Sequence, residues 1–171
     1  VYYTDLNYGR ISFAILEDRK FKSAPSVMLP EARVVNGFAQ NRYISGRRLD
    51  QPEAELLGER QLDFIEAWTV DWKNADMKVA VSQTIFANLS TYPDTFQTDA
   101  GTPQLEAPPP GVIPDGYRVA KDMDSNGWPQ TGRDKALKAL RKGYVVMIAG
   151  DQHLGSLVQM GVDTWDDAGY S

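Results

Sequence analysis

The 171-residue chain carries 18 Lys and Arg against 23 Asp and Glu, a net charge of −5, with 42% hydrophobic and 11% aromatic residues. That balance suits one folded domain with its own core and excludes a disordered chain; the acidic charge, with no basic stripe, argues against nucleic-acid binding. No apolar run reaches the roughly 20 residues of a membrane-spanning helix, and the absence of cysteine excludes disulfides and thiolate metal sites while leaving the redox compartment open.

The chain opens on "VYYTDLNYGR" and closes on "DDAGYS", with no initiator Met and no terminal helix, and reads as an interior piece of a longer chain. Arg10–Glu17, "RISFAILE", follows an Asn-Tyr-Gly turn and is predicted to form a buried strand. Residues 22–51 are then a polar insertion whose arginines, Arg33, Arg42, Arg47 and Arg48, either line an anion entrance or sit on a solvated loop. In "LLGERQLDFIEAWTVDW", Leu62, Ile65, Trp68 and Trp72 recur at near-helical spacing, and Glu59, Arg60, Asp63 and Glu66 take the other side. A helix is expected there, with both tryptophans in the core.

"MKVAVSQ" from Met77 is the next apolar strand. Residues 87–121, with "EAPPPGVIPDGY" at their centre, form a second long loop of the kind that is usually functional or flexible. In "KDMDSNGWP", Asp122, Asp124, Ser125, Asn126 and Gly127 are turn formers, and Pro129 stops any preceding element. "TGRDKALKALRKG" reads as a second helix, with Thr131 and Asp134 as a variant capping box, Ala136, Leu137 and Leu140 on the apolar side, and Gly143 at its end. "YVVMIAG" from Tyr144 is the third apolar strand. Strand–helix–strand–helix–strand implies right-handed parallel crossovers, hence an α/β layered domain. Continuous apolar runs suit a parallel sheet covered on both faces.

Ligands of open parallel sheets bind beyond the carboxyl ends of the strands. Those ends read Glu17-Asp18-Arg19, Ser82-Gln83-Thr84 and Gly150-Asp151-Gln152-His153, the last holding the single histidine. An ionised carboxylate with a neutral imidazole suits hard or borderline metal ions, and Gly150 would let the backbone turn sharply. The plainer alternative is an aspartate capping the next turn and a histidine hydrogen-bonded in a loop. Neither a nucleophile elbow with a Ser-His-Asp set nor a Gly-rich phosphate loop is present in the sequence.

Taken in order from about Phe13 to Ser156, these stretches resemble the alkaline phosphatase D-like branch of the binuclear metallophosphoesterases. "FAILEDRKFKS" is similar to that family's strand ending in Leu-Asp-Thr-Arg, "LLGERQLDFIEAW" to its Leu-Gly-x-x-Gln-x-x-Trp-Leu helix, and "MKVAVSQTIFA" to its strand with Gln before Phe-Ala. "DMDSNGWPQTGRDKALKAL" resembles its Asp-Gly-Tyr-Pro turn and helix, and "VVMIAGDQHLGS" its closing Gly-Asp-x-His. The resemblance implies a metallophosphoesterase-like α/β sheet and a phosphoester substrate. It implies two metal ions, iron(III) with calcium or another divalent ion, over the carboxyl edge.

By the same resemblance Asp151 and His153 are metal ligands, Gln83 is a ligand or water-holder, Arg19 steadies phosphate charge, and Asn126 joins it as a catalytic candidate. Two departures stand out: Glu17-Asp18-Arg19 for Asp-Thr-Arg, and Asn126-Gly127-Trp128 for Asp-Gly-Tyr. The family's remaining ligands would lie upstream of Val1, so residues 1–171 are expected to be part of one catalytic domain and to have little activity alone. Export to the periplasm or beyond the cell is the expected location. A non-catalytic α/β module that binds through its two long loops is the alternative.

Overall fold

A computed structural model of the chain describes residues 2–41, 43–87, 91–95, 108–109, 111–119, 122–151 and 155–170. In chain order, strands β1 (Thr4–Tyr8) and β2 (Ile11–Ile15) are followed by helix α1 (Pro25–Met28), the hairpin β3 (Val34–Val35) and β4 (Phe38–Ala39), and helix α2 (Gly46–Leu49). Helix α3 (Glu59–Val70), strand β5 (Met77–Thr84), the pair β6 (Thr91–Pro93) and β7 (Tyr117–Val119), helix α4 (Gln130–Arg141) and strand β8 (Val146–Gly150) come next. The short strands β9 (Gln159–Met160) and β10 (Gly169–Tyr170) close the order.

The expected parallel centre is present. β2 pairs in parallel with β5, and β5 with β8, inside a six-stranded sheet of order β1-β2-β5-β8-β10-β9. The β1 edge is antiparallel to β2 through a two-residue loop in which Gly9 and Arg10 both have positive φ, the geometry that matches strand twist in tight hairpins. β1 leaves no buried-face signature in the sequence because all of it is exposed. β10 runs parallel to β8 and antiparallel to β9.

Side chains alternate across a strand, which divides the sheet into two unlike faces. On one, Ala14, Leu16, Ala80 and Met147 are buried in one cluster with Leu57, Ile65 and Trp68 on the α3 side and Ala136, Leu137 and Leu140 of α4. On the other, the register aligns Phe13, Val79 and Val146 in one row and Ile15, Val81 and Ile148 in the next. Ile15 is 38% exposed and Ile148 56%. Among the described residues the second face, expected to be covered, is therefore covered in part, buried at Val79 and open at Ile15 and Ile148, and α3 and α4 both lie on the first.

Three local expectations change. Trp68 is core, donating from Nε1 to Ser12 Oγ at 2.9 Å, whereas Trp72 is 40% exposed. Trp72 and Trp68 instead flank the buried Lys78 ammonium, at 5.0 and 4.6 Å from the ring centroids. Lys78 Nζ donates to the carbonyls of Trp68 and Asp71, closing the end of α3. Burial, ahead of the opposing pull of Asp71 and Asp5, lowers its pKa.

The capping box at Thr131 and Asp134 does not form. The α4 N-cap is Pro129, with no side-chain cap; Thr131 lies inside the first turn and is held by Asp50 through its N–H (3.0 Å) and hydroxyl (2.8 Å). Asp134 takes Arg133 instead. Gly143 follows the Lys142 C-cap of α4, but the left-handed turn falls on Tyr144 (φ +49°); what calls for glycine at 143 is space, since a Cβ there would lie 3.0–3.1 Å from side-chain atoms of Thr69 and Lys78.

The 22–51 insertion carries its own small core. Leu29, Ala32, Ala39 and Ile44 are buried with Ala54, Met123 and Trp128, so the insertion wraps the acidic turn after β7. Arg33, Arg47 and Arg48 are exposed, as a solvated loop requires, and Arg48 pairs with Glu31; Arg42 lies outside the described residues. Of the 87–121 loop, the described residues include the β6–β7 pair.

Candidate functional site

The alternation that buries Ser12, Ala14 and Leu16 continues past the end of β2 to Asp18, which is fully buried. On β5 the same alternation buries Ser82 and Thr84 and leaves Gln83 exposed. The three buried polar groups meet. Asp18 Oδ2 accepts from Ser82 Oγ (2.8 Å), Thr84 N (3.0 Å), Thr84 Oγ1 (3.0 Å) and Asn126 Nδ2 (2.5 Å).

Asn126 is also fully buried, and its Nδ2 donates further to Ser82 Oγ and to the Thr84 carbonyl, both at 3.2 Å. Those acceptors fix which end of the amide is the nitrogen. Among the described residues, Asp18 Oδ1 and Asn126 Oδ1 are buried without a hydrogen-bond partner. The amide nitrogen of Asn126 is thus committed to the scaffold. The turn that carries it is held by Asn126 N–H donating to the Ile85 carbonyl and Met123 N–H to the Gly37 carbonyl. Only glycine fits at position 37: its φ is +81°, and a Cβ there would sit 2.8 Å from the Asp124 carboxyl carbon.

Lys22 closes the same turn from below. Its Nζ donates to the carbonyls of Met123 (2.7 Å), Asp124 (2.8 Å) and Ser125 (2.7 Å). Burial lowers its pKa from 10.5 to about 8, against the pull of Asp124, Asp122 and Asp18 and with a small push from Arg19. Behind Asp18, Glu17 is locked to α3: its N–H donates to Gln61 Oε1 and its carbonyl accepts from Gln61 Nε2, both at 2.8 Å.

One residue further on, the edge is open. Arg19 Nη2 pairs with Asp151 Oδ2 at 2.5 Å, with 49% and 39% of the two side chains exposed. That ion pair joins the ends of β2 and β8 across β5. Gly150 lies beside the Gln83 backbone, a Cβ on it being 3.7 Å from the Gln83 carbonyl oxygen, so Gln83 and Asp151 stand on neighbouring strand ends. The sharp turn expected at Gly150 falls instead on Asp151, whose φ is +78°, a region that aspartate enters more readily than most side chains. His153 lies outside the described residues.

The donors suit a hard cation in kind but supply it only in part. Asp151 offers a carboxylate and Gln83 an amide oxygen, yet the Asp151 carboxylate is neutralised by Arg19. No group of three His, Cys, Asp or Glu converges among the described residues. Both groups stand at the carboxyl edge where a metal-binding site would be built.

A family model described as PhoD-like phosphatase matches residues 1–170. The chain belongs to the PhoD-like phosphatase family. A solved structure titled "Structure of PhoD" aligns with a TM-score of 0.60 and 18% identity over 94% of this chain, a likeness that shows the fold. The PhoD-like chain spans 25% of the length of that neighbour. No curated protein matches it.

Within this PhoD-like fold, reading the sequence by motif pointed to Arg19, Gln83 and Asp151 at one edge but did not single out Asp18, Ser82, Thr84 and Lys22. The signal was available. Ser12, Ala14, Leu16 and Asp18 share one parity, as do Lys78, Ala80, Ser82 and Thr84, so the parity that buries the alanines also buries the polar groups.

Proposed function

We propose that this PhoD-like chain forms part of a metal-dependent phosphoester hydrolase, a phosphatase or phosphodiesterase, with its substrate bound over the ends of β2, β5 and β8. The Arg19–Asp151 pair is the observation that carries this reading, because it brings an anion-binding fork and a candidate metal ligand from separate strands to one place. In the reaction, water adds to phosphorus and the bond to the departing alcohol breaks, the alcohol taking up a proton.

Asp151, His153 and Gln83 would hold the metal ions, iron(III) with calcium or another divalent ion. Bound there, such ions neutralise phosphate charge and lower the cost of making a nucleophile from water. The chain's own residues supply orientation. The planar guanidinium of Arg19 can take two phosphate oxygens at once, and an anionic phosphoester would compete with Asp151 for it. Asn126 acts from beneath by holding Asp18, so that the strand end bearing Arg19 is rigid. The same reading places the protein in the periplasm or outside the cell; among the described residues no helix is long and apolar enough to cross a membrane.

The test is metal-dependent stability combined with turnover of bis(4-nitrophenyl) phosphate. Iron(III) and calcium should raise the melting temperature by mass action, the shift should vanish in His153→Ala, and residues 1–171 alone should turn over little substrate. Robust turnover by residues 1–171 alone would contradict the expected dependence on further residues. Absence of both a metal shift and turnover in the full-length protein would favour the non-catalytic binding module.

A further inference from the structure

Residues 18–22 touch two parts of the edge: Asp18 takes the Asn126 amide and Lys22 the carbonyls of Met123, Asp124 and Ser125 on the same turn, while Arg19 takes Asp151 at the end of β8. An ammonium has three N–H donors and no acceptor. Lys22 therefore has its whole capacity on three successive carbonyls, the last of them directly before Asn126. The Trp128 ring lies 5.8 Å from the same ammonium. A neutral or shorter side chain at position 22 cannot satisfy that set, and partly buried carbonyls left without partners favour a different path for the turn.

Resting on the phosphoester reading above, we propose that Lys22 is a positioning residue. It fixes the 123–126 turn, and through it the Asn126–Asp18 contact that holds the end of β2 and so the aim of Arg19.

The charge on Lys22 belongs to this role. Asp124 and Asp122 on the turn and Asp18 beyond β2 favour the ammonium; Arg19 and, above all, burial oppose it, leaving the pKa at about 8. When that proton leaves, one of the three N–H donors goes with it and a carbonyl of the turn loses its partner. The grip on Asn126 is therefore complete at neutral pH and loosens on the alkaline side.

The experiment compares wild type, Lys22→Arg and Lys22→Met in the full-length protein. One readout is the rate on bis(4-nitrophenyl) phosphate from about pH 6 to about pH 10, bracketing the titration. The other is the NMR signal of the Asn126 side-chain amide over the same range. For Lys22→Met, kcat should fall about tenfold or more at neutral pH with a smaller change in KM, as misplacement of a positioned group predicts, and the Asn126 signal should shift. Wild type should lose rate with a midpoint near pH 8, and the Asn126 signal should move with the same midpoint. Lys22→Arg, whose guanidinium does not titrate in this range, should keep both flat.

Wild-type kcat and an unmoved Asn126 signal in Lys22→Met overturn the proposal. So does an alkaline fall that persists in Lys22→Arg, which decides the matter even if Lys22→Met does not fold. If wild type shows no turnover while the Asn126 signal still follows Lys22, the phosphoester reading fails and the hold of Lys22 on the turn stands.

Discussion

Asp18 and Arg19 are consecutive residues with opposite fates. Asp18 turns inward, gathers four donors on one oxygen and shows no surface; Arg19 turns outward and pairs with Asp151, which is itself 39% exposed. The difference teaches how the edge divides its labour. The inward residue fixes where three chain segments end, and the outward residue presents charge that a ligand can reach. A precise site needs both: a group free to meet its target, and a support that keeps it within a fraction of an ångström.

Removing the inward partner should have the largest effect. Asp18→Ala leaves the Asn126 amide and the Ser82 and Thr84 hydroxyls buried without their shared acceptor, and unfolding by urea should show a loss of about 3–5 kcal/mol. A loss under about 1 kcal/mol, the range of exposed pairs, would erase the contrast between the two residues.

Next in size is the pH response of the support. The folded pKa of Lys22 lies near 8 against an ordinary 10.5. Between those values the unfolded chain holds a proton that the folded chain does not, so stability should rise with pH, by about 3 kcal/mol in all. Below about pH 8 both states are charged at Lys22 and this contribution is flat. Denaturation of Lys22→Arg across the same range should lack the rise.

For the outward residue the sizes reverse. Arg19→Ala should change stability by less than about 1 kcal/mol, since half-exposed ion pairs contribute little. It should nevertheless lower kcat/KM for a phosphoester by about 100-fold if the fork meets phosphate charge in the transition state. A large stability loss with little loss of rate would move Arg19 to the side of Asp18.

The smallest effect sharpens the comparison by repeating its chemistry away from the edge. Asp167 accepts from the N–H groups of Val162 (2.7 Å), Asp163 (2.9 Å) and Thr164 (3.0 Å), and Arg141 lies alongside; led by the Val162 bond, these hold its carboxyl below the usual carboxylate range. Its contribution is present above the ordinary value of about 3.9 and is lost as pH falls through the lower folded value. Acid unfolding of Asp167→Asn should be correspondingly less steep there.

The frame was legible where one face of an element is apolar. β2, β5, β8, α3 and α4 each announce themselves by a run or a stripe, and their order specifies the parallel centre. β1 was not legible because its five residues are all exposed, so the alternation of Leu6 and Tyr8 with Asp5 and Asn7 marks no buried face. The 22–51 insertion was not legible as a packed unit because its helices and strands are too short to show a period, and its core residues find partners a hundred positions away, at Met123 and Trp128. At the site, the residues after each strand pointed to Arg19, Gln83 and Asp151, which stand on neighbouring strand ends. What they could not show was burial: Asp18 looks like its neighbours Glu17 and Arg19 until the parity of the strand is followed one step beyond its last ladder bond.

The row Ile15–Val81–Ile148 has a consequence for handling the protein. In residues 1–171 taken alone, Ile15 and Ile148 expose branched hydrocarbon on either side of the half-buried Val81, and patches of that kind adsorb reporter dyes and draw molecules together as concentration grows. A charged replacement such as Ile148→Lys, chosen from the most exposed member, should quiet both without disturbing the helices on the reverse side.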